Sequence, residues 1–252
     1  WVKDLLKPVM QDSIGIDSGW VLVYTAGIMM TLRFCCGPLV ETFKPLGTLA
    51  ISAALAAWGI YWLSSLSGSD AAASATVIVI AATIYGVGQT FFWPTTLGVV
   101  SEQFPRGGAM TINIIAGVGM LGVGVLGGAW LGNVQDRSIV ASLHEQAPSI
   151  SSRYITDEKQ SLFGSYNALA PDAKERAADH LFEMEFTIGD GDDARRETKT
   201  VAASEVIERA QRDGKSAALH EVAILPVIMF CCYIGLMLYF RSRGGYKPVL
   251  LE

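Results

Sequence analysis

Arg33 lies inside an apolar run, Gly19 to Val40, that holds no other charge. An ionisable side chain inside such a run is costly in lipid and is a functional candidate by default. Arg33 also stands only eight residues before Glu41, near enough to snorkel to the end of the run or to pair with a loop carboxylate. A structural or gating role therefore stands beside direct contact with a solute. A second candidate set is Tyr85, Gln89 and Trp93. Their four-residue spacing puts them on one face of a helix, and Pro94 predicts a kink just beyond them. An amide between two rings that can hydrogen-bond suits the lining of a solute pocket. An interhelical hydrogen bond from Gln89, with the rings packed around it, suits the pattern as well. Asn113 has the same two readings.

Other chemistry is missing. Gly117-Val-Gly119-Met-Leu-Gly122 spells a dinucleotide fingerprint, but that motif needs a strand before it and a loop opening a helix. Here it sits in an uncharged apolar run. Gly124, Gly128 and Gly132 continue that run at four-residue steps, which predicts close packing on a neighbouring helix, compatible with a hinge or sliding surface. The four cysteines form two adjacent pairs, Cys35–Cys36 and Cys231–Cys232, in apolar segments without metal-ligand spacing, and read as small buried side chains. His144, His180 and His220 are scattered along a polar block. No nucleophile, base and acid assemble, and no Asp or Glu lies deep in an apolar run. The expectation is no catalytic residues, no metal, no cofactor, no nucleic-acid partner and no enzymatic activity.

The elements that must position these residues can be read from hydropathy. The chain is 51% apolar and only 17% charged. About 20 apolar residues in a helix cross the hydrocarbon of a bilayer, and five stretches qualify: Gly19–Val40, Leu46–Leu66, Ala75–Val100, Gly108–Val134 and Val222–Phe240. The runs are continuous rather than alternating, which predicts helices and not barrel strands. Residues 1–10 look like the tail of an earlier helix, so the chain reads as a piece of a longer one. Residues 134–220 carry 16 Asp/Glu and 11 Lys/Arg, and with them the whole net charge of −5.

Lys and Arg in short loops give the orientation. Arg33, Lys44, Arg106, Arg241, Arg243 and Lys247 mark one side as cytoplasmic. The segments 11–18 and 67–74, with Asp12, Asp17 and Asp70 and no base, face the other side, and so does the 134–220 block. Within it, Asp172–Glu185 and Ala202–Lys215 mix apolar and charged residues at helical spacing, with a turn at Gly189–Asp193. A small helical insertion is expected, and a disordered tether is the competing reading.

Two short stretches add a resemblance. Gly37-Pro-Leu39-Val-Glu41-Thr-Phe-Lys44-Pro-Leu-Gly47 is similar to the cytoplasmic loop motif G-x-L-x-D-R-x-G-R-R of the major facilitator superfamily. Glu41 replaces its Asp, Thr42 its Arg, and Lys44-Pro45 stands where Gly-Arg is usual. Ser101-Glu-Gln-Phe104-Pro105-Arg106-Gly107-Gly-Ala109 resembles the E-x-F-P…R-G-x-A stretch that enters the eleventh helix of many members. Over residues 1–133 and 221–252 the chain resembles the C-terminal six-helix half of that fold: the end of helix seven, then helices eight to twelve. The fold class is thus an all-α integral membrane bundle with a helical extracytoplasmic insertion.

The resemblance implies a symporter or uniporter for a small polar solute, sugar-like or an organic anion, working by alternating access with an N-terminal half. It implies Arg33, Tyr24, Tyr85, Gln89, Trp93 and Asn113 on cavity helices, and helices nine and twelve facing lipid. It implies Gly37, Glu41, Lys44, Gly47, Glu102 and Arg106 at the cytoplasmic gate. The partners are lipid, the solute and the missing half, and the expected location is the bacterial inner (plasma) membrane. A non-transporting sensor whose 134–220 block binds a ligand is the alternative.

Overall fold

The computed structural model describes residues 19–34, 37, 42–67, 75–188 and 195–249. The chain forms two compact units: Trp1–Gly127 with Leu219–Glu252, and Gly128–Ala218.

The first unit is a helical bundle. Its helices are α1 (Gly19–Phe34), α2 (Pro45–Ser67), α3 (Ala75–Thr90), α4 (Phe92–Gln103), α5 (Gly108–Leu121) and a late helix, Ile224–Ser242. A 3₁₀ turn, Pro105–Gly107, joins α4 to α5, and a π-helical turn, Gly122–Gly127, comes after α5. The centre of the bundle is α2, which packs on α3, α4 and the late helix. Leu46, Leu49, Ala53, Ala56, Ile60 and Leu63 are all buried, and their alternating steps of three and four make one continuous seam. Lipid exposure is the expectation for this span from the sequence. Here it is the hub, because the helix is rich in alanine and its small side chains admit neighbours on several sides.

Closeness is set by glycine. A Cβ on Gly59 would lie 2.5 Å from the backbone nitrogen of Tyr85, and one on Gly88 would collide with the backbone nitrogen of Ala56. Backbone therefore meets backbone between α2 and α3, as small residues allow between membrane helices. The expected third span, Ala75–Val100, is broken at Phe91. Pro94 has no N–H to give the carbonyl of Thr90 and its ring crowds that carbonyl. The helical ladder resumes with Thr95 N–H donating to Phe91 O at 3.1 Å.

Among the described residues, three helical stretches are long and apolar enough to cross a membrane: Pro45–Ser65, Pro105–Gln146 and Ala203–Ser242. In α5 and the π turn no residue is buried. Met110, Val118, Met120, Leu121 and Val123 are each more than 60% exposed. An apolar surface of this extent needs lipid or protein against it.

The second unit corrects the expectation of a wholly helical insertion. After α6 (Gly128–Gln146) and α7 (Pro148–Tyr154) the chain forms an antiparallel hairpin, β1 (Ile155–Ser161) with β2 (Gly164–Leu169). A short α8 (Ala173–Ala177) precedes a second hairpin, β3 (Leu181–Ile188) with β4 (Arg195–Ala202). Then α9 (Ala203–Val222) leads to the late helix, now α10 (Ile224–Ser242). The helix expected over Asp172–Glu185 is thus only α8. From Phe182 the sequence alternates Phe, Met, Phe, Ile with Glu, Glu, Thr, which is the period of a strand rather than of a helix. The expected turn at Gly189–Asp193 lies outside the described residues. A disordered tether is also overturned. Leu143, Ala147, Ile150, Tyr154, Ala173, Ala177, Val206, Ile207 and Ala210 form one buried cluster.

Candidate functional site

The six cavity candidates are spread over four helices of the bundle. Tyr24 on α1 shares a hydrogen bond with Thr83 on α3, 3.1 Å between their oxygens. Arg33 is exposed at the end of α1, beside a cleft of about 410 Å³ lined by Ala26, Met29, Met30 and Phe34. Tyr85 and Gln89 lie half-buried on α3. Trp93 falls beyond the break, on α4. Its ring carbons stand 3.1 and 3.3 Å from where a Cβ of Gly119 would be, so the indole lies over α5 at that glycine. Asn113 is exposed on α5. The break at Phe91 thus separates Trp93 from Tyr85 and Gln89, and the cleft beside α1 contains only Arg33 of the six.

One polar atom near the break has no signature in the sequence. The Thr95 hydroxyl is buried in a side chain only 4% exposed and has no hydrogen-bond partner among the described residues. Its neighbour in sequence, Thr90, returns its hydroxyl to Gly86 O at 2.7 Å, the usual way a helix satisfies such a group.

Of the gate candidates, Lys44, Gly47, Glu102 and Arg106 lie at one end of the bundle. At the opposite end the ring of Tyr61, late in α2, meets that of His220, just before α10, with centroids 5.3 Å apart. Lys44 before α2 and Arg241, Arg243 and Lys247 at the close of α10 therefore share an end. Glu102 and Arg106 join them, because Tyr246 donates its hydroxyl to Glu102 Oε2 at 2.6 Å. Lys44 itself has φ 61°, a left-handed backbone that costs a side-chain-bearing residue about 1–2 kcal/mol. Its carbonyl accepts both the N–H and the hydroxyl of Thr48, at 3.0 and 3.1 Å. Gly47 is half-buried in the first turn of α2 and Gly37 is exposed. Glu41 lies outside the described residues, as do Cys35 and Cys36.

A Cβ on Gly124 or Gly132 would meet nothing within 4 Å, and Gly128 is exposed. Gly124 and Gly132 of the predicted row thus meet no other element among the described residues, whereas Gly59 and Gly88 make the close helix contact. Cys231 and Cys232 are exposed free thiols on α10, not buried fillers. No group of three or more His, Cys, Asp or Glu among the described residues is placed to hold a metal ion.

The second unit has a cleft of about 560 Å³ lined by His144, Ser151, Ser152, Thr156 and Asn167 with Pro148 and Ile155. Ser151 donates to Pro148 O at 2.8 Å, and His144 Nδ1 stands 3.1 Å from the same hydroxyl oxygen. His180 and His220 lie outside this cleft.

No protein-family model, curated protein or solved structure matches the chain.

Proposed function

We propose that this is an integral membrane transporter for a small polar solute, sugar-like or an organic anion. In this reading it works by alternating access, and these helices form one of two halves that rock about a site near the bilayer midplane. The observation that carries the reading is α5. It is uncharged and without a buried residue, yet it presents Asn113, and in the glycine row that continues from it Gly124 and Gly132 meet no other element among the described residues. An amide facing hydrocarbon alone is costly. A second helical body, or water between two bodies, accommodates both features. The basic residues gathered at one end make that end cytoplasmic under the positive-inside rule. The second unit then lies outside, and the membrane is expected to be the bacterial inner membrane. Arg33 favours an anionic or hydroxyl-rich solute. No covalent chemistry, cofactor or metal enters the mechanism.

The test is uptake of labelled sugars and organic acids into vesicles carrying the complete protein. Removing one polar contact costs about 1–3 kcal/mol, so Gln89→Ala, Arg33→Ala and Asn113→Leu should each lower uptake roughly five- to a hundredfold. Replacing residues 148–202 by a short Gly/Ser linker should leave uptake intact. Normal uptake in all three point variants sinks the site assignment.

The second unit has its own core and a polar cleft, which favours a sensor as the second reading. Absence of flux for every solute, with ligand binding lost on the same linker replacement, would select it.

A further inference from the structure

The chain does not end with α10. Gly244 and Gly245 have φ of +92° and +95°. Gly244 N–H donates to Arg241 O at 3.3 Å and Gly245 N–H to Phe240 O at 2.8 Å. Glycines in the left-handed region close a helix in this way and turn the chain back. The segment beyond Gly245 is tied down at several points. The Tyr246 hydroxyl bonds the Glu102 carboxylate, and Gln103 Nε2 donates to Lys247 O at 3.0 Å. Val249 N–H donates to Glu102 O at 2.9 Å. The Tyr246 ring meets Phe240 edge-on, with centroids 5.2 Å apart. Residues 246–249 therefore run along the end of α4.

The part they grip is a stiff corner. Phe104 N–H donates to Val100 O at 2.9 Å, and Gly107 N–H to Phe104 O at 3.1 Å. Pro105 opens the 3₁₀ turn and Gly108 turns the chain into α5 with φ +50°. Since α5 has no buried residue, its direction rests on that corner together with the Trp93 indole at Gly119.

We infer that residues 244–249 are a strap that fixes the α4–α5 corner to the end of α10, with Tyr246 as its positioning residue. Releasing the strap frees the start of α5 and shifts the population of states at that end of the bundle. The contacts stand by themselves, and the consequence for solute access rests on the transport reading. A hydrogen bond to a carboxylate is among the stronger ones. Phenylalanine at 246 keeps the ring contact and removes only that bond.

Hydrogen exchange on the complete protein in lipid nanodiscs tests this, comparing the wild type with Tyr246→Phe and Glu102→Gln. About tenfold faster exchange is expected in both variants, in the tail (246–249) and across the corner (104–112), with residues 48–64 unchanged. In a Met110→Cys background, Tyr246→Phe should also change labelling by a membrane-impermeant maleimide several-fold. Faster exchange confined to the tail overturns the positioning role. Unchanged exchange in both segments, or a wild-type tail exchanging as fast as a free peptide, overturns the strap altogether. If exchange and labelling respond while no solute crosses, the strap stands and the transport reading falls.

Discussion

At the scale of single residues, Tyr246 offers a pH signature. Burial, then its bond to Glu102, pushes its hydroxyl from 10.0 up to about 12. The neutral phenol is the form held in the folded state. Its contribution is therefore complete below about pH 10 and is lost as pH rises through about 12. Difference titration of the wild type against Tyr246→Phe should show one tyrosine ionising near 12, and Glu102→Gln should lower that midpoint. A midpoint at the ordinary value of 10.0 would contradict the contact. Glu102 was legible in the sequence as part of an E-x-F-P stretch. Its partner was not, because 144 residues separate the two and nothing local in the tail announces a tyrosine that bonds a carboxylate. Lys44 is similar. Its charge marked a loop on the basic side, but the left-handed backbone there is set by the turn into α2.

At the scale of elements, continuous apolar runs were readable because a membrane-spanning helix needs length above all. Which glycines pack was not readable, since a glycine acquires that role only when another backbone arrives against it. The row at Gly124, Gly128 and Gly132 repeats cleanly, but Gly124 and Gly132 meet no element among the described residues, while Gly59 and Gly88 repeat nothing and carry the α2–α3 contact. Gly88→Ala should therefore lower stability by about 1–3 kcal/mol, because the obstructing atoms are the backbone of Ala56 and the carbonyl of Ser52 and cannot turn aside as a side chain would. Gly124→Ala should stay within about 0.5 kcal/mol. Thermal unfolding of both variants in one detergent measures the difference, and equal losses would refute this division of roles. The hairpins were hidden for another reason. In β3, eight residues long, the two-residue alternation runs only from Phe182 to Ile188, and the Ala-rich charged sequence before it has the composition of a helix.

At the scale of the whole molecule, each unit has apolar groups of its own to bury. The helical bundle centres on the α2 seam. Residues 128–218 centre on a separate cluster in which Leu143 and Ile207 are 0% exposed. The cluster is poor in large side chains, with alanine at Ala147, Ala173, Ala177 and Ala210, so each aliphatic residue carries much of the burial. Ile207→Ala should cost about 2–5 kcal/mol, and that loss should appear as faster hydrogen exchange throughout 128–218. Exchange in α2 and α3 should keep its wild-type rate, because no side chain of the α2 seam loses a neighbour. Separate cores predict separate opening. Exchange that accelerates equally in both units would mean that they unfold as one, and a linker replacing 148–202 would then be expected to damage the helical bundle as well.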